Sequence, residues 1–314
     1  MGSYILRRLI VTVPMALIVI TLTWGLIRLA PGNFYMSDKA LPAAVERNIK
    51  EKYGLHKRWY EQYGRIMLSV LCGDFGTSLK YEGQSVNEIL WRTLPVSATL
   101  GLLAYALALI VGIFAGTLAA LKQNHWPDYA AMTLAMLGMS VPNFVLGPLL
   151  VLIFSLTLFW LPPARWGGTP SWNLVLPVIT LAAVYVSYIA RLARVELLEV
   201  LRSDYIRTAR AKGLSERRII VRHALPGALL PVVSFTGPAL AFLITGAVVV
   251  ERIFALPGLG NYFINANLNR DEPLIIGIVA FISLTVLIFN LLVDIAYAYL
   301  DPRIRLQTQI VNRG

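Results

Sequence analysis

Six stretches of this chain carry no charged residue and are long enough to cross a bilayer: Leu9–Ile27, Thr93–Leu121, Tyr129–Ala164, Trp166–Ala190, Ala224–Val250 and Pro273–Val293. They run from 19 to 36 residues, and a spanning helix needs about 20. Hydrocarbon offers the backbone no hydrogen-bond partner, so each stretch has to satisfy its own amides, and a helix does that. The expectation is an all-α membrane protein with six transmembrane helices. Composition agrees, because only 14% of the residues are charged, whereas an ordinary soluble domain has about 25%. Pro162-Pro163 closes the third stretch. The first stretch follows Arg7 and Arg8, as a signal peptide would, but its 19 residues exceed a typical apolar region of roughly 7–15. Arg28-Leu29-Ala30-Pro31 offers no small-residue cleavage pair, so a retained anchor is expected.

Basic residues in short loops mark the cytoplasmic side. With the N-terminus inside, the inner segments hold Arg7, Arg8, Lys122, nine Lys or Arg from Arg191 to Arg222, and Arg303, Arg305 and Arg313. The short outer loops hold Arg165, Arg252 and Arg270. Both termini are therefore expected in the cytoplasm. The net charge of +11 expresses this bias and anchoring at the lipid surface. No nucleic-acid motif accompanies it, and no nucleic-acid partner is expected.

The expected divisions are 1–30, a cytoplasmic tip and first helix; 31–92, an extracytoplasmic subdomain; 93–301, a core of five helices with a cytoplasmic loop at 196–226; and 302–314, a cytoplasmic tail. Within 31–92, "PAAVERNIKEKYGL" places Val45, Ile49 and Tyr53 at four-residue steps, the mark of an amphipathic helix. "GDFGTSLKYEGQSV" follows, rich in turn formers. The subdomain is expected to be a lid packed on the helices, a docking surface for an external partner, or both. In the core, "GIFAG" at Gly112–Gly116 permits close helix approach. Pro142 and Pro148 in "SVPNFVLGP" make the third stretch a candidate for a kink or gate.

Chemistry is sparse. No phosphate-binding GxxxxGK[ST] loop, HExxH or CxxC occurs, so ATP hydrolysis of that kind belongs elsewhere. His56, His125 and His223 fall on both sides of the membrane and cannot share a metal; no metal site is expected. Cys72 is the one cysteine. Ser140 lies within the third stretch, but no histidine lies in any of the six to act as its base, and an enzyme reading fails there. Asp294 lies just beyond the last stretch, near the expected inner interface. It is a candidate ion-pair partner for Arg191 or Arg194, or else a residue of a transport path.

The segment from Asp204 to Pro231 stands out between two spans. It holds six Lys or Arg. Ile206, Ala209, Arg210 and Gly213 follow i, i+3, i+4, i+7 spacing and share one helical face. Gly213 suits a helix stop, Ser215 a cap for the next helix, and Leu225-Pro226 the first turn of the following span. A small-residue face fits close insertion into a protein groove. A basic surface segment lying on anionic lipid would want bulkier apolar residues.

Here the chain resembles bacterial ABC-importer permeases, whose cytoplasmic loop carries an "EAA…G…I-LP" motif. Aligned on Gly213, Arg207-Thr208-Ala209 take the EAA positions, His223 that of the Ile, and Leu225-Pro226 the LP. "DYIRTARAKGL…RRII…HAL..ALLPV" is similar to the branch that moves oligopeptides, dipeptides and nickel. "ILRRL" at Ile5, "RLAPGN" at Arg28, "GDFGTS" at Gly73, "VPNF" at Val141, "LPGLG" at Leu256 and "DPRIR" at Asp301 extend the likeness along the chain. The resemblance implies a type I importer permease fold for 93–301. It implies a homologous second permease, two ATPase subunits carrying ATP and magnesium, and an extracytoplasmic substrate-binding protein. Tyr205, Ile206, Arg207, Thr208, Ala209, Arg210, Lys212 and Gly213 would form the helix that couples to an ATPase. Oligopeptides are the expected cargo. A dipeptide, a nickel chelate, glutathione or a peptide antibiotic is the alternative, and a non-transporting membrane scaffold is the reading from another class.

Overall fold

The computed structural model describes residues 2–29, 57–81, 83–167, 171–245 and 247–300. The expected helix around Val45, Ile49 and Tyr53, the tail from Asp301, and His56 lie outside them. Among the described residues the chain is helical, with one isolated bridge, Thr77 to Ser85.

The helices are α1 (Gly2–Leu29), α2 (Trp59–Cys72), α3 (Val86–Leu121), α4 (Trp126–Ser140), α5 (Asn143–Leu150), α6 (Val175–Leu201), α7 (Asp204–Ala211), α8 (Glu216–Arg218), α9 (Leu225–Ala228), α10 (Leu230–Ile244), α11 (Val248–Ile253), α12 (Leu259–Asn269) and α13 (Glu272–Leu300). Among the described residues, four helical runs are long and apolar enough to cross a membrane: Val86–Leu121, Trp172–Leu201, Leu230–Ile253 and Glu272–Val293. α1 contains the first uncharged stretch, Leu9–Ile27.

The third apolar stretch departs from one kinked span. Trp126–Ser140 and Asn143–Thr157 meet at a bend of 106°. Pro142 supplies the corner. It has extended backbone before α5, and its carbonyl accepts from Val145 and Leu146 at 2.9 Å. Pro148 sits inside α5 and withholds an amide there. The backbone widens just after it into a π turn over Val151–Thr157.

α3 begins at Val86, earlier than the uncharged run suggests. Ser85 caps it by accepting from the Glu88 amide at 3.2 Å, so the charged first turn is a start signal and not a loop. With 36 residues α3 is about 54 Å long, more than a hydrocarbon core of about 30 Å. One end must project beyond the bilayer.

The centre of the fold is α3 against α6, and glycine makes it possible. A Cβ on Gly112 would lie 2.9 Å from the Ile189 Cβ, and one on Gly116 would collide with the Ala190 carbonyl oxygen. The expected GxxxG pair therefore works inside this chain. Gly101 brings α3 equally close to α10, where a Cβ would meet the Leu243 backbone at 2.8 Å.

The α12 end of the bundle is tied by polar contacts. Asp271, fully buried, accepts the Ser78 hydroxyl and the amides of Leu79 and Lys80 at 3.1 and 3.2 Å. Arg28 reaches Glu272 at 3.4 Å. Of the described residues between 57 and 81, Gln62 and Tyr63 meet α1 through Arg28 and Thr21, and Ser78 meets Asp271 at the turn from α12 to α13.

Candidate functional site

The opposite end of the bundle carries α7 and the return to α10. α6 stops at Leu201; Arg202 and Ser203 turn the chain, and α7 starts at Asp204. Asp204 in the first turn and Arg210 in the last both suit the helix dipole. Eight residues are too few for a stable free helix in water, so packing must hold α7. Ile206 is fully buried and Ala209 nearly so. They sit in a cluster with Ala120 of α3, Leu197 of α6, Ile219, and Ala224 and Ala228 beyond it.

This corrects the expected orientation. The face of Ile206 and Ala209 was expected to enter a partner's groove, but it is turned onto the chain's own helices. Of the four residues that spacing placed on one face, Ile206 and Ala209 are buried and Arg210 and Gly213 are exposed; spacing alone does not say what buries a face. The outward face is Tyr205, Arg207, Thr208, Arg210 and Lys212, all exposed.

Gly213 ends α7 with φ +76°. Its amide donates to the Arg210 carbonyl at 2.9 Å, and the Leu214 amide to that of Ala209 at 3.3 Å. Those two bonds are a Schellman motif, which favours glycine at its left-handed position. No atom lies within 4 Å of where a Gly213 Cβ would be, so conformation and not crowding selects glycine there. Ser215 does precede α8, but its side chain makes no capping bond.

α8 passes through a π turn, Ile219–Ala224, into α9, where Leu225 and Pro226 form the first turn. Two contacts brace this return. Arg210 Nε donates to Glu216 Oε1 at 2.8 Å, and the Tyr205 hydroxyl lies 3.4 Å from the His223 carbonyl oxygen. The hydrogen bond with Arg210 holds the Glu216 carboxyl below its ordinary range, and the same bond raises Arg210. Arg207 meets Asp204 at 3.3 Å, both well exposed, and such a pair adds little rigidity. From 204 to 228 the segment is a compact platform with a basic outer surface.

Arg194, expected as a candidate partner of Asp294, makes an ion pair that the sequence did not suggest. Arg194 lies against Asp128, with Nε to Oδ1 at 2.6 Å and Nη2 to Oδ2 at 2.7 Å. Asp128 is buried and also accepts the Asn124 amide at 3.0 Å. This fork fixes the start of α4 to α6. Arg191 meets the Met139 sulfur at 3.8 Å. The side chain of Asp294 lies outside the described residues. Asp128 was missed because it sits one residue before an apolar run and reads as loop. Pro142 and Pro148 lie far along the chain from α7, and they serve the α5 bend that rests Gly147 3.2 Å (as a Cβ) from Ile253 Cγ2.

A second buried carboxylate was also missed. Glu251 of α11 is fully buried. It accepts the Ser97 hydroxyl at 2.6 Å and the Gly260 amide at 2.8 Å, and the Leu259 amide donates to Ser97 Oγ at 2.8 Å. A Cβ on Gly258 or Gly260 would run into this carboxylate. "PGLG" is therefore a helix start opened by glycine for an acid. Among the described residues no group of three His, Cys, Asp or Glu could hold a metal.

Residues 108–306 match the family described as the inner membrane component of binding-protein-dependent transport systems. The chain belongs to that family. It is 46% identical over 97% of its length to the oligopeptide transport system permease protein OppB of Haemophilus influenzae, all of which is covered. OppB of Escherichia coli gives the same identity and coverage. The dipeptide transport system permease protein DppB of Bacillus subtilis is 43% identical over 98% of this chain and 99% of its own. Among solved structures, an inward-facing form of the MetNI methionine ABC transporter superposes with a TM-score of 0.57 at 15% identity, over 68% of this chain and 96% of that one. An amino acid ABC transporter gives 0.51 at 18% identity, over 67% and 94%. These likenesses establish a type I ABC-importer permease fold. The chain is a multi-pass inner-membrane permease subunit of an ABC importer.

Proposed function

We propose that this permease forms half of an oligopeptide translocation path, beside a homologous second permease. In this reading it has six spans. Five are the four long runs and the bent pair, and α1, with its uncharged stretch Leu9–Ile27, is the sixth. Lys and Arg crowd the α7 end, so that end and both termini face the cytoplasm. The outward basic face of α7 rests in a cleft of an ATPase subunit; two such subunits hold ATP and magnesium, and this chain supplies neither. A substrate-binding protein delivers peptide at the α12 end, and membrane lipid covers the apolar flanks.

The observation that carries the coupling role is the seat of α7. An eight-residue helix is locked by Ile206 and Ala209 to α3, α6 and the return segment, while its charged face is left open. Movement of a partner bound to that face is passed to the spans, not absorbed by a loose loop. The full-length likeness to OppB supports the cargo.

The test is reconstitution of the permease with its second permease and ATPases in vesicles. Oligopeptide-loaded binding protein should stimulate ATP hydrolysis and drive peptide uptake, and the permease chain alone should hydrolyse no ATP. Stimulation by dipeptides but not by oligopeptides would move the cargo toward that of the DppB relative. Absence of binding-protein stimulation by any cargo would leave the scaffold reading.

A further inference from the structure

The surfaces that several spans turn outward are apolar. Leu22 and Leu26 on α1, Ile110 and Phe114 on α3, and Ile288 and Leu292 on α13 are all exposed. Hydrocarbon suits such faces. One stripe is different. On α6 the exposed positions are Ile179, Tyr188, Arg191, Val195 and Glu199; the last four are three and four residues apart and therefore on one side of the helix, with Ile179 on the other. Phe235 of α10 stacks on Tyr188, with ring centroids 4.2 Å apart and planes 29° apart. Ser234, its neighbour in sequence, is exposed as well.

Depth makes this stripe hard to reconcile with lipid. The helical run of α6 starts at Trp172. Tyr188 is sixteen residues further on, about 24 Å at 1.5 Å per residue, and so within a core of about 30 Å. Its ring is 38% exposed, and its hydroxyl has no hydrogen bond among the described residues. Tyr105, packed beside the same helices, gives its hydroxyl to Thr236 Oγ1 at 2.7 Å. A hydroxyl left bare in hydrocarbon is costly, so the open side of Tyr188 calls for water or a polar cargo. One turn nearer α7, Arg191 has the Met139 sulfur as its contact and presents its guanidinium outward. A lone arginine near an interface can snorkel to a lipid headgroup, but that leaves the deeper Tyr188 hydroxyl unexplained.

We propose that Tyr188, Phe235, Ser234 and Arg191 line the peptide path, a reading that rests on peptide import as the function. The stacked rings and the two hydroxyls offer a flat, uncharged surface that tolerates varied side chains. The guanidinium is the first charge met along the stripe toward α7. Its forked donors match a carboxylate, the group that every peptide with a free C-terminus carries.

The test uses the whole importer with Cys72→Ser, the chain's one cysteine, as parent. Tyr188→Cys, Ser234→Cys and, as a lipid-face control, Ile110→Cys are exposed to a membrane-impermeant thiol reagent from the α7 side. Tyr188→Cys and Ser234→Cys should react, and peptide held in the complex by hydrolysis-deficient ATPases should slow both reactions. Ile110→Cys should not react. Should Tyr188→Cys fail to assemble, Phe235→Cys, at the ring stacked on Tyr188, reads the same face. No labelling at that face, or labelling that peptide leaves unchanged, overturns the proposal. Arg191→Gln should lower uptake of a free-acid peptide to that of its C-terminal amide and leave the amide's uptake unchanged. Equal loss for both removes Arg191 from carboxylate recognition. A parent that imports no peptide would instead defeat the functional reading, while the labelling still reports on the face.

Discussion

Ile206 is the point at which the coupling role is most open to attack. It has no solvent exposure and packs in the cluster of Leu197, Ile219, Ala224 and Ala228. Ile206→Ala removes three carbons from a closed site, and such truncations cost about 2–5 kcal/mol. Because α7 has eight residues and little stability of its own, the loss falls on the docking of α7 and not on the bundle. At 1.4 kcal/mol per factor of ten, even the low end raises the undocked fraction about thirtyfold. The neighbouring Arg207, exposed and paired with exposed Asp204, should contribute less than about 1 kcal/mol to the same docking. Hydrogen exchange on the reconstituted importer separates these. Amides of 204–214 should exchange faster in Ile206→Ala and near the wild-type rate in Arg207→Ala, with α3 and α6 unchanged in both. Binding-protein-stimulated ATP hydrolysis should survive in part in Ile206→Ala while uptake per ATP falls. Unchanged exchange over 204–214 in Ile206→Ala would refute the idea that this side chain holds the helix.

Gly213→Ala should destabilise the platform by about 1–2 kcal/mol, the cost of a left-handed L-residue, whereas Gly213→Asn should lose much less; exchange of the Leu214 amide reports both. Removing one partner of the buried fork, by Asp128→Asn or Arg194→Met, should cost about 3–5 kcal/mol, read as a lower melting temperature of the detergent-solubilised chain. The double variant should be less unstable than the sum of the singles. Glu251→Ala should be severe and Glu251→Gln mild, since an amide oxygen still accepts from Gly260; protease sensitivity near α12 measures the difference. The Arg210–Glu216 pair should persist through mildly acidic pH. The Glu216 carboxyl titrates below its ordinary 4.5, so the contribution of the pair is present above that value and fades only as pH falls through the lowered one. Titration followed by NMR of a labelled Glu216 checks this.

Four of the six apolar stretches coincide with helical runs long enough to span a membrane, and they were legible because charge is so rare in lipid that its absence outlines a span. The edges were less so. Glu88 and Arg92 look like the end of a run, yet they lie in a helix capped by Ser85. The 106° bend was half visible. Pro142 and Pro148 announced a break, but proline specifies where a helix gives way and not how far it turns. In the basic segment, spacing found two buried residues, Ile206 and Ala209, and the Gly213 stop, but it put exposed Arg210 on the same face. It could not tell a face buried by the chain itself from one reserved for a partner, because both demand small or apolar residues. The Arg194–Asp128 fork and the Glu251–Ser97 pin joined residues 66 and 154 positions apart. Pairing at such range leaves no periodic trace in one sequence.

The platform at one end and the pinned cap at the other share α3. Ala120, in its last turn, belongs to the cluster under α7, and Ser97, in its fourth turn, binds Glu251 and the start of α12. Twenty-three residues of unbroken helix separate them, about 35 Å at 1.5 Å per residue. Between the two, Gly101, Gly112 and Gly116 hold α3 in backbone contact with α10 and α6. No flexible side chain intervenes to take up a displacement. A shift imposed on α7 therefore reaches the α12 end as movement of a stiff rod unless helix packing slips. The α5 bend, where Gly147 rests on Ile253 and Phe254 beside the pin, is where packing has least regular backbone to resist. Widening that contact with Gly147→Leu should leave α7 docking intact and impair uptake. Unimpaired uptake would mean that the α12 end does not move with the rod.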